Sequence, residues 1–288
     1  MNSGDNPHLP PLREIISKHG LSADKRLGQH FLLDSNVTDR IAQAAGLLDG
    51  INVVEIGPGP GGLTRSLLRS GARRIVAVER DRRCIEALNE LGALFPGRLD
   101  IIEGDALELD PADLVGEPRR IVANLPYNIS VPLILGWLRR ADRYDGFTLM
   151  VQKEVADRLS ATPGGKIYGR LSVMAQWLCD VRQAFSLSPR AFVPPPKVTS
   201  TVVVMTPLPH PRAEADRHLL ETVTAAAFGQ RRKMLRSSLK KLDLDPAAIG
   251  IDPERRAETL SVEEFCMLAR LLATKANAAA GFSNRSAG

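Results

Sequence analysis

The stretch VVEIGPGPGGLTRSLLRSG, residues 53–71, leaves the chain few choices of fold. The apolar run 52–56 has the length of one strand, and glycines 57, 59, 61 and 62 follow it without a spacer. Leu63, Leu67 and Leu68 then share one face of a helix that Gly71 stops. A strand that passes through a glycine turn into a helix lets backbone approach a ligand closely and aims helix N–H groups at it. Read as G-x-G-x-x-G, Gly57, Gly59 and Gly62 match a dinucleotide fingerprint, so the glycines alone leave the cofactor open. Glu79 ends the next expected strand about twenty residues on, where an acid accepts hydrogen bonds from ribose hydroxyls. Asp105, in IIEGDAL, closes a third strand at the same sheet edge. The constellation predicts a nucleoside-bearing cofactor.

The strand-length runs 52–56, 74–79, 99–103, 120–123, 147–151, 182–186 and 199–205 alternate, over the first two thirds, with amphipathic helical patterns. This order predicts an α/β fold, a mainly parallel sheet flanked by helices. Past about Pro211 only helical patterns remain, in HLLETVTAAAF, RRKMLRSSLKKL and SVEEFCMLARLLATK. TPLPHP, residues 206–211, reads as the link between a domain 1–208 and a small helical domain 209–288. Residues 1–10 and 276–288 read as disordered.

Composition narrows the function classes. With 44% apolar and 25% charged residues the chain is an ordinary globular one. No run of 18 apolar residues and no basic-then-apolar leader occur, which predicts a cytoplasmic protein without membrane attachment. Cys84, Cys179 and Cys266 lie far apart and the 5 histidines form no ligand-spaced cluster, so neither disulfides nor a metal site are expected. A net charge of +5 mildly favours a polyanionic partner. No heptad seam argues for an obligate dimer, and a monomer is expected.

A second segment is harder to explain as packing. IVANLPYNIS, residues 121–130, ends an apolar strand with an amide, a rigid proline and an aromatic ring. Glu55 before the first glycine gives E-x-G-x-G-x-G, a pattern of S-adenosylmethionine enzymes more than of nicotinamide enzymes. Together with LGQHFLLD, VERD, EGDAL, NLPYNIS, VQKEVADRL, YGRLSV, AFVPPPKV and FGQRRKMLRSSL, the chain resembles the ribosomal RNA adenine N6,N6-dimethyltransferases, in particular their bacterial small-subunit branch, the KsgA/RsmA family. That resemblance covers most of the chain. It implies a class I methyltransferase (Rossmann-like) fold, S-adenosylmethionine as cofactor, and dimethylation of two adjacent adenosines in a hairpin loop near the 3′ end of 16S rRNA in the small (30S) ribosomal subunit. Gln29, His30 and Leu32 would join Glu55, Gly57, Gly59, Gly61, Glu79, Asp105 and Asn124 around the cofactor. His30 stands where members of the family usually carry Asn.

Given adenine as substrate, the odd segment acquires a chemical reason. The N6 lone pair is delocalised into the ring, so two acceptors that hold the amine hydrogens can orient it for attack. The Asn124 side-chain oxygen and the Leu125 carbonyl suit that task, Pro126 stiffens the loop, and Tyr127 offers a stacking face for an extruded base. Phe192, in AFVPPPKV, resembles the family's second stacking aromatic. On a helix, Arg232, Arg236 and Lys240 would form a ridge beside Arg231 and Lys233, opposite an apolar face of Leu235, Leu239 and Leu242. With Lys25 and Arg26 they are the expected RNA contacts. Three alternatives stay open: a nicotinamide-dependent dehydrogenase, a large-subunit methyltransferase of the macrolide-resistance type, and an assembly checkpoint that acts by binding immature subunits.

Overall fold

The structure, a computed structural model, describes residues 9–24 and 27–285, with side chains described as far as 277. Two compact units are present: Met1–Ala156 with Val181–Pro207, and Asp157–Asp180 with Leu208–Gly288. The first carries α1 (Leu12–Lys18), β1 (Phe31–Leu32), α2 (Ser35–Ala44), β2 (Asn52–Ile56), α3 (Gly62–Arg69), β3 (Arg74–Glu79), α4 (Arg82–Ala93), β4 (Leu99–Glu103), α5 (Pro111–Leu114), β5 (Arg119–Asn124), α6 (Ser130–Leu138) and β6 (Gly146–Gln152). The chain continues through α7 (Lys153–Leu159), α8 (Arg170–Leu178), β7 (Cys179–Leu187), β8 (Phe192–Val193), β9 (Ser200–Pro207), α9 (Arg217–Gly229), α10 (Leu235–Ser238) and α11 (Val262–Arg285).

A seven-stranded sheet in the order β4-β3-β2-β5-β6-β9-β7 organises the first unit. β2 pairs in parallel with β3 on one side and β5 on the other, β3 with β4 and β5 with β6, while β9 runs antiparallel to β6. Val53, Val54, Ile75, Ile121, Val122 and Leu149 have no exposed surface, as expected of continuous apolar strands covered by helices on both faces. Strand order reverses between β2 and β5, and in such sheets the crevice beyond the carboxyl ends at that point is the place for a ligand. Aspartates fix where several helices begin: Asp34, Asp81 and Asp110 accept hydrogen bonds from the N–H groups of Asn36, Arg83 and Ala112.

The seven expected strands all form. A further pair, β1 with β8, was not expected, because two residues each are too short to show a period; Leu32 faces Phe192 in its antiparallel register. The second unit includes 157–180, which the sequence pattern assigns to the first domain. α8 places Val173, Met174 and Trp177 in a core with Leu220, Val223, Phe265 and Leu268 of α9 and α11, and the Trp177 indole N–H donates to the Ala213 carbonyl at 2.7 Å.

Two local expectations are corrected. The basic segment 230–242 is not one helix: 231–233 form a turn, α10 holds four residues, and a 3-10 turn covers Lys240–Leu242. Met234 forms a β-bridge with Arg256 and the N–H groups of Leu235 and Arg236 bond to the Arg255 and Pro253 carbonyls, so non-local pairing replaces the helical ladder. The C-terminal stretch expected to be disordered is helical through Arg285, in keeping with the strong helix propensity of its alanines.

Candidate active site

Four loops beyond the carboxyl ends of β2, β3, β4 and β5, with residues 27–32, enclose one cleft. The loop after β2 starts with Gly57 at φ +65°, and its N–H bonds the Val78 carbonyl at 2.9 Å. Gly59, at φ +56°, occupies the left-handed region that glycine enters without cost, and a Cβ there would lie 3.3 Å from the Phe31 ring. Gly61 caps α3. Gly62 is required for closeness: a Cβ would meet the Leu32 carbonyl oxygen at 2.7 Å.

Two buried acids lie in this wall. Glu79 Oε2 accepts from the Gly59 N–H at 2.9 Å, and Oε1 accepts from the N–H groups of Arg80 and Asp81 at 2.8 Å each. Burial raises its pKa, against those three backbone donors. Glu55 is 1% exposed and its Oε2 has no hydrogen-bond partner. Burial pushes its carboxyl up to about 8, offset in part by the Thr64 hydroxyl and reinforced by the charge of Glu79. Asp105 accepts from the Leu107 N–H at 3.0 Å and from Arg80 at 3.1 Å, so its carboxylate is held at the rim.

The segment 27–30 crosses the mouth of the cleft. Both polar ends of the Gln29 side chain are engaged by the protein: Oε1 accepts from the Asp24 N–H at 2.9 Å and Nε2 donates to Asp81 Oδ2 at 3.1 Å. Asp81, which sequence reasoning missed, is held below the usual carboxylate range by the Arg83 guanidinium. Gly28 lies against Asn128, whose Oδ1 would be 2.9 Å from an added Cβ. Leu32 is buried and lines the cleft.

At the end of β5, Asn124 Nδ2 reaches the His30 carbonyl at 3.4 Å. That carbonyl can only accept, so the bond fixes the amide with its nitrogen there and its oxygen as the remaining acceptor. Leu125 is buried and its N–H bonds the Met150 carbonyl at 3.1 Å, tying the loop to β6. Pro126 packs toward Gly57, 3.5 Å from where a Cβ would be. The half-buried Tyr127 donates to or accepts from Ser200 Oγ at 2.6 Å, and burial raises its pKa. His30 Nδ1 lies 2.7 Å from the Pro194 carbonyl; its ring stacks on Tyr127 at 5.4 Å and meets Phe192 edge-on at 6.4 Å.

Phe192, expected from the resemblance to stack on the base, is covered in this structure. Its ring is 2% exposed and does not line the cleft, because the β1–β8 register seats it opposite Leu32 in the core. Arg231 is also differently employed: its guanidinium donates to the carbonyls of Lys166 and, at 3.0 Å, Tyr168 within its own unit. Arg236 pairs with Glu254 at 3.3 Å. Arg232 and Lys233 are exposed on one turn and Lys240 on another. Lys25 and Arg26 lie outside the described residues. Among the described residues no group of acids, histidines and cysteines could hold a metal ion, and no helix is long and apolar enough to cross a membrane.

The profile of the family described as ribosomal RNA adenine dimethylase matches residues 20–274. The chain belongs to that family. The ribosomal RNA small subunit methyltransferase A of Rhodospirillum rubrum is 61% identical over 265 residues, 91% of this chain and 92% of the relative. The protein of the same name from Paramagnetospirillum magneticum is 60% identical over 268 residues, 92% and 95% of the two chains. Among solved structures, a dimethyladenosine transferase from Plasmodium falciparum superposes with a TM-score of 0.73 at 24% identity, covering 86% of this chain and 98% of its own. The 23S rRNA methyltransferase ErmE does so with 0.65 at 25% identity, covering 84% and 99%. The fold is thus that of a class I methyltransferase and the chain is a ribosomal RNA adenine methyltransferase, which sets the dehydrogenase reading aside.

Proposed function

We propose that this dimethyladenosine transferase uses S-adenosylmethionine to methylate N6 twice on each of two adjacent adenosines, in a hairpin loop near the 3′ end of 16S rRNA in the small ribosomal subunit. The observation that carries the reading is the Asn124 amide, pinned by its nitrogen to the His30 carbonyl and left with its oxygen as an acceptor, beside the half-exposed ring of Tyr127. The high identity to two proteins named as small subunit methyltransferase A favours this branch over the large-subunit one.

The cleft suits the cofactor by the chemistry of its walls. Gly57, Gly59 and Gly61 offer backbone at close range, Glu79 keeps lone pairs for ribose hydroxyls, and the orphaned Glu55 oxygen marks a polar wall that lacks a protein partner. Asp105 would face the base edge and the segment 28–32 would cover the remainder. S-adenosylmethionine supplies, when bound, a methyl group already activated on a sulfonium.

The chain's own residues then have positional tasks. Asn124 Oδ1 and the Leu125 carbonyl hold the two amine hydrogens, so that the N6 lone pair is localised and directed. Tyr127 stacks on the extruded base, and Pro126 keeps these groups ordered before binding. After displacement the amine is left cationic and its proton passes to water. The first unit is the catalytic domain and the second binds RNA, with exposed Arg232, Lys233 and Lys240 as phosphate contacts and the protein acting as a monomer.

The test is transfer of radiolabelled methyl from S-adenosylmethionine to small subunits isolated from a strain lacking this protein, followed by nucleoside analysis. Dimethyladenosine in 16S rRNA is the expected product. Label appearing only in naked large-subunit RNA would overturn the branch assignment.

A further inference from the structure

We propose that the His30 imidazole is a placeholder for the substrate base: in the free enzyme it covers the face of Tyr127 on which the target adenine stacks, and it swings off that face as the base enters. This rests on the adenine-N6 reading above and adds a residue to it. Tyr127 is the fixed partner of the pair. Its hydroxyl is 2.6 Å from Ser200 Oγ, Ser200 is fully buried in β9, and the residue before Tyr127 is a proline. The imidazole lies over it with the ring planes 29° apart and the centroids at 5.4 Å.

Phe192 is 2% exposed while His30 stands edge-on to it, so in the free enzyme it offers no open surface. A base brought up to Asn124 to stack on Tyr127 therefore competes with the imidazole for that ring. His30 is the movable member. One hydrogen bond restrains its half-buried side chain, from Nδ1–H to the Pro194 carbonyl at 2.7 Å, and rotation about Cα–Cβ releases the ring. Its backbone need not move, so the carbonyl that orients Asn124 stays in place. A planar ring is also suited to the waiting role, because it keeps water off the Tyr127 face and gives up only ring contacts, with Tyr127 and Phe192, and one hydrogen bond when displaced.

The experiment compares wild type with His30→Asn and His30→Ala. KM and kcat are measured on small subunits, and the Kd of free adenosine is measured by calorimetry on enzyme saturated with S-adenosylhomocysteine. His30→Asn keeps a donor for the Pro194 carbonyl, and it decides the matter where the alanine variant folds poorly. Uncovering the face should lower both KM for subunits and Kd for adenosine by about two- to ten-fold, the size of one aromatic pair. Unchanged or weaker binding in His30→Asn would overturn the placeholder, and so would an equal change in S-adenosylhomocysteine affinity, which would assign the side chain to the cofactor. Wild type is assayed first: absence of methyl transfer there removes the function reading and the placeholder with it, whereas transfer with unaltered adenosine binding in the variants removes the placeholder alone.

Discussion

Replacing Glu55 by glutamine removes a buried acid that has no hydrogen-bond partner for Oε2 while keeping its shape. The carboxyl titrates near the ordinary 4.5 in the unfolded chain and at about 8 in the folded one, chiefly because burial disfavours its charged form. The folded state thus holds a proton that the unfolded state loses, so wild-type stability falls as pH rises through this window and is complete below it. Each unit is worth about 1.4 kcal/mol, and the part crossed between pH 5 and 8 comes to about 3 kcal/mol. Glutamine does not titrate. The stability of wild type relative to Glu55→Gln should therefore drop by that amount over this range, with the other titrating groups cancelling in the difference. Urea unfolding at four pH values, read at Trp137 in a Trp177→Phe background, follows the unit that contains Glu55. A difference that is flat between pH 5 and 8 would show that Glu55 is ionised in the folded protein and refute the argument.

Asn124→Ala should reduce methyl transfer by at least about 100-fold, measured at saturating S-adenosylmethionine, while the midpoint of thermal unfolding moves little. Gly62→Ala forces a Cβ into the Leu32 carbonyl and should cost about 1–3 kcal/mol in urea unfolding, with weaker S-adenosylhomocysteine binding by calorimetry. Arg231→Gln removes donors from two carbonyls of its own unit and should destabilise that unit by about 1–3 kcal/mol in denaturant unfolding. Arg232→Gln with Lys233→Gln should leave stability unchanged and lower the slope of log RNA affinity against log salt by about one for each phosphate no longer neutralised, read by filter binding.

The sheet was legible because each of its strands carries its own signal: apolar runs such as 53–56 and 121–123 end at glycine, acid or amide, and local rules suffice. Glu79 was legible for a similar reason, as its distance from the glycine turn reflects one βα unit. What failed depends on pairing across long stretches of chain. The helix expected over 230–242 breaks because Met234 meets Arg256, and Phe192 is buried because β8 finds β1, about 160 residues away in sequence. The anchoring of Gln29 by Asp81 and of Tyr127 by Ser200 likewise has no local trace. That Arg231 donates to carbonyls of its own unit was not legible either, since consecutive cations look alike in sequence.

Residues 29 and 30 are adjacent, yet one is tied to Asp81 at the start of α4 and the other to Tyr127 and Pro194. On the proposed function, the donor and acceptor sites thus share a two-residue wall. Thermodynamic reciprocity then requires that whatever factor the cofactor contributes to RNA affinity, RNA contributes to cofactor affinity. For an enzyme that must exchange its donor between successive transfers to one nitrogen, such a shared wall would link departure of the spent cofactor to how tightly the half-modified base is held.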